Sequence, residues 1–150
     1  MTYLTLSQAF KTAVRELQGA AVPSDLVMRY VNDICALVEP ATNKVIDLSG
    51  LIIQGAVDWS QRDDLPELNC DGTVFMDDLN CKNIYFQNSA SFINARFEKD
   101  VDFFCAFGAK NVLINFSSAV FIGFADFEGS IRGYFEYDNA QFLGDYDFDG

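Results

Sequence analysis

The stretches LIIQGAVDW (51–59), TVFMDDLNC (73–81), ARFEKDVDF (95–103), AVFIGFADF (119–127) and AQFLGDYDF (140–148) are five copies of one nine-residue pattern. Their first residues lie 22, 22, 24 and 21 positions apart. Position 9 is aromatic in four copies and Cys81 in the other; position 8 is Asp in four and Asn80 in the other. A fixed period in this range marks a solenoid, in which no repeat can bury its apolar face alone. Within each copy, positions 1, 3, 7 and 9 are mostly apolar or small and position 8 is polar. That alternation predicts two short strands with a corner between them. Gly55, Gly123 and Gly144 stand at the corner, where the backbone is expected to turn sharply. On the remaining sides the inward positions are assigned to Leu65 and Leu68, Ile84 and Phe86, Val112 and Ile114, and Ile131 and Phe135. Coils stacked at strand spacing put like residues over like, so the Phe side chains are expected to form interior ladders.

Upstream of Val45 the period is helical. Ser7 is read as the cap of a helix in which Phe10, Ala13, Val14 and Leu17 share a face, ending near Gly19. Pro23, Ser24 and Asp25 open a second helix with an apolar face of Val27, Tyr30, Val31, Ile34, Leu37 and Val38, stopped at Pro40. The expected organisation is therefore a helical hairpin over residues 1–40 and a solenoid over 45–150. Covering the open end of the solenoid is the favoured job for the hairpin, since forty residues make a poor independent core. A separate interaction module is the other reading.

Composition narrows the function classes. The chain is 150 residues long, half of them hydrophobic, and 14 of its 15 Phe lie beyond residue 50. No basic start followed by a long apolar run marks a signal peptide, and no apolar stretch approaches the ~20 residues of a membrane helix. A cytoplasmic protein is expected. Cys35, Cys70, Cys81 and Cys105 form no CxxC, and the chain has no His, so the thiols are expected to be buried and reduced rather than zinc-bound. The net charge is −12; residues 1–50 hold five acids and four bases, and residues 51–150 hold seventeen acids and six bases, a net of −11. Direct binding to nucleic acid or an anionic membrane is disfavoured by such a surface, whereas a basic partner suits it.

The segments Ala90-Ser91-Phe92, Ala95-Arg96-Phe97, Ala119-Val120-Phe121, Ala125-Asp126-Phe127 and Ala140-Gln141-Phe142 resemble the core of the pentapeptide-repeat family. The resemblance covers roughly residues 45–150. It implies a right-handed, four-sided parallel β-helix of about five coils with the small residue and the Phe pointing inward. Phe121 and Phe127 are six apart rather than five, and the coils exceed twenty residues, so a distorted and partly irregular β-helix is expected. Some pentapeptide-repeat proteins imitate B-form DNA and inhibit topoisomerases, and small acidic phage proteins act similarly on restriction and CRISPR complexes. The resemblance thus implies an inhibitor acting in a bacterial cytoplasm, that of the host if the chain is phage-encoded.

Enzymatic chemistry finds no foothold. There is no His, no activated Ser or Cys constellation and no glycine-rich phosphate loop, so neither catalytic residues nor a cofactor are assigned. The paired carboxylates Asp63-Asp64 and Asp77-Asp78 read as solvated loop charge. Asp145-Tyr146-Asp147-Phe148-Asp149-Gly150 superficially matches the start of a calcium loop, but Tyr146 and Phe148 fall on inward repeat positions, and no metal site is assigned. Position 8 should place Asp58, Asp102, Asp126 and Asp147 in one outward column, with Asn80 among them. Asx side chains bond to turn backbone, so the corner itself is one source of demand for those acids. Asp63, Asp64, Asp77, Asp78, Glu98, Asp100, Glu128, Glu136, Asp138, Asp145 and Asp149 are demanded by no core position. The whole set is the candidate partner-binding surface. Two functions stand: a DNA mimic that occupies the nucleic-acid-binding groove of a basic protein or complex, and a non-enzymatic structural or adaptor solenoid for protein–protein interaction. A full nonamer closes at Phe148, so an open coil end is expected, from which the chain continues or through which it forms a homodimer.

Overall fold

The structure, a computed structural model, describes residues 2–37, 44–130 and 134–149. Its solenoid is a stack of short parallel strands wound into about five coils. Four sheets form four sides. The first side holds Val45–Asp47, Glu67–Asn69, Ala90–Ser91, Leu113–Asn115 and Tyr134–Glu136. The second holds Ile52–Gln54, Val74–Phe75, Arg96–Phe97, Val120–Phe121 and Gln141–Phe142, and the third Val57–Asp58, Leu79–Asn80, Val101–Asp102, Ala125–Asp126 and Tyr146–Asp147. The fourth, formed by Tyr85–Phe86 and Phe107–Gly108, is the only side with two strands among the described residues. The nonamer therefore spans the second and third sides.

Strand alternation buries the positions read as inward. Ile53, Phe75, Phe97 and Phe121 are buried in register on the second side, as are Val57, Leu79, Val101 and Ala125 on the third. The aromatic side chains stack as ladders. Phe75, Phe97, Phe121 and Phe142 lie face to face at 5.2, 4.8 and 4.7 Å, and Phe103, Phe127 and Phe148 at 5.2 and 5.1 Å. A third ladder, Phe92, Phe116 and Tyr137 at 4.9 and 5.7 Å, lies outside the nonamer. It continues the column of buried Leu48 and Cys70, and these five residues repeat at the same 22, 22, 24 and 21.

Within the second coil the six-residue steps fit a repeating pattern, while the tower as a whole is irregular as expected, with coil steps of 22, 22, 24 and 21 residues and two strands on its fourth side among the described residues. In the second coil the buried residues Cys70, Phe75, Cys81, Phe86 and Phe92 follow one another at five, six, five and six residues. One added residue lies between the fourth and first sides, and the other in the corner between second and third. Glycine serves that corner for two different reasons. Gly55 adopts φ +104°, which L side chains avoid, whereas a Cβ on Gly123 would come within 2.6 Å of the Lys99 carbonyl oxygen in the coil below. Close stacking, rather than a sharp turn, excludes a side chain there.

The fifth coil departs from the inward assignment. Tyr146 is 59 % and Phe148 44 % exposed, because among the described residues no strand pairs beyond those of this coil. Ile131 lies outside the described residues, and Val112 and Phe135 are only partly buried.

The N-terminal helices cap the first coil, with one correction. Helix α1 spans Tyr3–Glu16, and its cap is Thr2 rather than Ser7: the Thr2 hydroxyl accepts the Thr5 N–H, and the Thr5 hydroxyl accepts the Thr2 N–H. Ser7 is buried one turn on, its hydroxyl 3.4 Å from that of Tyr30. Helix α2 spans Ser24–Cys35 and buries Val27, Tyr30, Val31 and Ile34. It ends before Val38 and Pro40, which lie outside the described residues. Between the helices, Val22–Pro23 pairs in parallel with Ile53–Gln54, so the cap extends the second side by one strand. The Tyr3 hydroxyl donates to the Val45 carbonyl at 2.8 Å and accepts its N–H at 3.1 Å. Arg62 joins Asn32 of α2 at 2.8 Å and Asp64 at 2.7 Å. No described helix is long and apolar enough to cross a membrane.

Candidate partner-binding surface

Position 8 forms one outward column on the third side, with Asp58, Asn80, Asp102, Asp126 and Asp147 paired coil to coil. Each of the five carries out the same local task. Its Oδ1 accepts the backbone N–H two residues on: Ser60 at 2.9 Å, Lys82 at 3.0 Å, Phe104 at 2.8 Å, Glu128 at 2.9 Å and Asp149 at 2.9 Å. These are Asx turns, and they prepare the corner at which the chain leaves the third side. Hydrogen bonds from the hydroxyl and N–H of Ser60 hold the Asp58 carboxyl below the usual carboxylate range. The turn needs an acceptor oxygen and not a charge, as Asn80 demonstrates. The four negative charges in this column are therefore additional to the fold.

Three further acids also act structurally, which corrects their reading as free surface charge. Asp77 accepts the Gly55 N–H at 2.7 Å, Asp78 the Asp100 N–H at 3.1 Å, and Asp100 the Phe124 N–H at 2.9 Å. Each bond crosses from one coil to its neighbour at the corner between second and third sides. Short strands leave corner N–H groups without ladder partners, and a carboxylate reaching from the next coil supplies one. Asp71, which the sequence reading did not single out, plays an equivalent part beside the first side, accepting from the Ser91 hydroxyl and the Ile93 N–H. Asp64 is paired with Arg62, and Glu98 with Arg96 at 2.5 Å.

Position, rather than number, distinguishes the acids. Of the fifteen candidate residues, nine lie on or flank the outer face of the third side: Asp78, Asp100 and Asp145 before its strands, Asp58, Asp102, Asp126 and Asp147 within them, and Glu128 and Asp149 after them. Lys82 is a base in the same rows. Asp77 lies at the edge shared with the second side, Asp63 and Asp64 precede Leu65 in the first coil, Glu98 is on the second side, and Glu136 and Asp138 belong to the first. Asp126, Glu128 and Asp147 bring carboxylate oxygens within 4.8 Å of one another. Partial desolvation and the neighbouring charges of Asp147, Asp126 and Asp149 raise the Glu128 carboxyl.

Other features carry less chemistry. A groove of ≈ 470 Å³ crosses the first side over Ser89, Ala90 and Ser91, but both hydroxyls are engaged, by the Leu113 N–H and by Asp71. Burial pushes Cys70 and Cys81 well above the ordinary thiol range, and burial beside Asp64 pushes Cys35 up to about 11. None of these three sulfurs is poised as a nucleophile. Comparison with protein-family models, curated proteins and solved structures finds no match to this chain.

Proposed function

We propose that the protein is an acidic DNA mimic, which inhibits a basic nucleic-acid-binding protein or complex by occupying its groove. One observation carries this reading: nine carboxylates are gathered on a single side of the coil stack. Five coils at ~4.8 Å make a stack of about 24 Å, giving one carboxylate per ~2.7 Å. Duplex DNA carries one charge per ~1.7 Å of axis. A groove that binds DNA by matching that density with Lys and Arg meets a comparable field here. The four-sided stack, with small and Phe positions turned inward, also suits the pentapeptide-repeat family that the sequence resembles, and with it gyrase-type or anti-defence inhibition.

The decisive variant is Asp58→Asn, Asp102→Asn, Asp126→Asn and Asp147→Asn together, because Asn retains the turn and removes only charge. Gyrase supercoiling and DNA binding by a CRISPR effector are titrated with protein at ~50 and ~200 mM salt. Inhibition of a target is expected to weaken steeply with salt and to be lost in the variant while its melting temperature is not lowered. Inhibition that is salt-insensitive and survives the four substitutions would sink the mimic. The alternative, an adaptor solenoid, has one observation in its favour, the apolar outer face of the second side.

A further inference from the structure

The second side adjoins the acidic one along a shared edge, and its outer face is mostly uncharged. Positions 2 and 4 of the nonamer point outward there, since positions 1 and 3 are inward. They carry Ile52, Val74 and Met76 in the first two coils and Val120, Ile122 and Leu143 in the last two, with Gln54 and Gln141 at the remaining positions of these coils. Ile52 is 41 %, Met76 39 % and Leu143 66 % exposed. Between these groups the middle coil places Arg96 and Glu98, which pair at 2.5 Å and bring no net charge. Scattered apolar residues on a surface mean little, but rows of them on one sheet face mark an interaction site. At the edge shared with the third side lies a notch of ≈ 540 Å³ lined by Gln54, Gly55, Ala56, Asp77, Asp78 and Lys99. Asp77 and Asp78 each use one carboxylate oxygen to hold a corner N–H. The second oxygen of each makes no hydrogen bond among the described residues.

We propose that the second side and its notch form a docking face for a protein segment that carries aliphatic side chains next to an Arg or Lys. The aliphatic groups cover the rows around Met76 and Leu143, and the cation enters the notch between Asp77 and Asp78. Charge selects this occupant. A second copy of a chain with net charge −12 brings like charge to the same edge, and an anionic membrane is repelled in the same way. A basic segment is attracted, and its apolar neighbours gain the contact that water now occupies. The inference rests on the reading that the partner is basic, and adds where on the molecule its apolar part binds.

Two synthetic peptides of equal length and charge provide the test, one alternating Leu with Arg and the other Ser with Arg. The Leu–Arg peptide is expected to bind at least about tenfold more tightly. In methyl-detected NMR it should shift Ile52, Met76, Ile122 and Leu143. The double variant Met76→Gln, Leu143→Gln should reduce its affinity to that of the Ser–Arg peptide, and both positions are exposed enough for the fold to tolerate the change. Ile52→Thr, which keeps a β-branched side chain on its strand, should move affinity in the same direction. Asp77→Asn, which retains an acceptor for Gly55, should weaken both peptides. Equal affinity of the two peptides overturns the docking face, as do methyl shifts confined to another side, or self-association that buries these methyls in the free protein. If the Ser–Arg peptide binds in a salt-dependent manner while Leu adds nothing, the acidic reading stands and the docking face falls. If neither peptide binds at low salt, both fall.

Discussion

The Asx residue at the start of each corner is the smallest unit that explains the molecule. Asp58, Asp102, Asp126 and Asp147 were legible in the sequence as a column, and they stack as one. What the sequence pattern left open was whether the turn or a partner demanded them, because an Asp looks the same in either role. The geometry separates the two, through Asn80 and through Asn69 and Asn115, whose Oδ1 atoms make the same turn on the first side. Asp102→Asn should leave the melting temperature unchanged, while Asp102→Ala should lower stability by about 1 kcal/mol, read by urea unfolding. The Asp58 carboxyl is held low in the folded state, so its contribution is present above the unfolded value of about 4 and is lost as pH falls through the folded one. The stability difference between the natural protein and Asp58→Asn should therefore change below about pH 4 and stay flat above pH 5. Three residues after the Asx site the backbone turns left-handed, at Gln61, Asn83, Cys105 and Gly129 on one edge and at Gly50, Gly72 and Ser118 on another, where Asn94 and Asn139 turn in the same way after Ser91 and Glu136. Gln61, at φ 60°, gains nothing from its side chain in that conformation. Gln61→Gly should raise stability by about 0.5–1 kcal/mol, and no gain in a thermal melt would contradict the account.

At the scale of the strand and coil, the decisive element is the ring ladder. Phe97 stacks between Phe75 and Phe121 and is buried in the middle of five coils. Phe97→Ala should cost about 3–5 kcal/mol, and chemical denaturation measures it directly. Gly123→Ala, by contrast, removes nothing and still should destabilise by about 1–3 kcal/mol, since its Cβ meets the Lys99 backbone. The nonamer revealed half of each coil because its two strands alternate strictly. The other half was less visible for a physical reason: among the described residues the fourth side has two strands, and the chain between the third and first sides varies in length, absorbing the difference between coils of 21 and 24 residues. A search for the same period in Leu48, Cys70, Phe92, Phe116 and Tyr137 would have found the third ladder. The outer face of the second side was missed for a different reason. Val and Ile at positions 2 and 4 look like ordinary strand formers, and only the register shows that they face away from the core.

For the molecule as a whole, the sides are unequal. Carboxylates gather on the third, apolar side chains on the second, and small polar groups on the first. Crowding like charge on one face opposes compaction, and salt relieves it. Raising salt from ~0.01 to ~0.15 M shortens the screening length from ~30 to ~8 Å and should raise the melting temperature. The variant with Asn at positions 58, 102, 126 and 147 should melt higher at low salt and respond less. An unchanged salt response would mean that the acids on the third side do not interact.

Because the corner accepts an amide as readily as a carboxylate, the number of charges on this molecule is decoupled from its architecture. Each coil holds one site where a single-nucleotide change, Asp to Asn or back, shifts the surface field by one unit while every turn and every stacked ring stays in place. A lineage carrying this scaffold can tune its electrostatic signature in small heritable steps, as finely as there are coils, without passing through an unfolded intermediate.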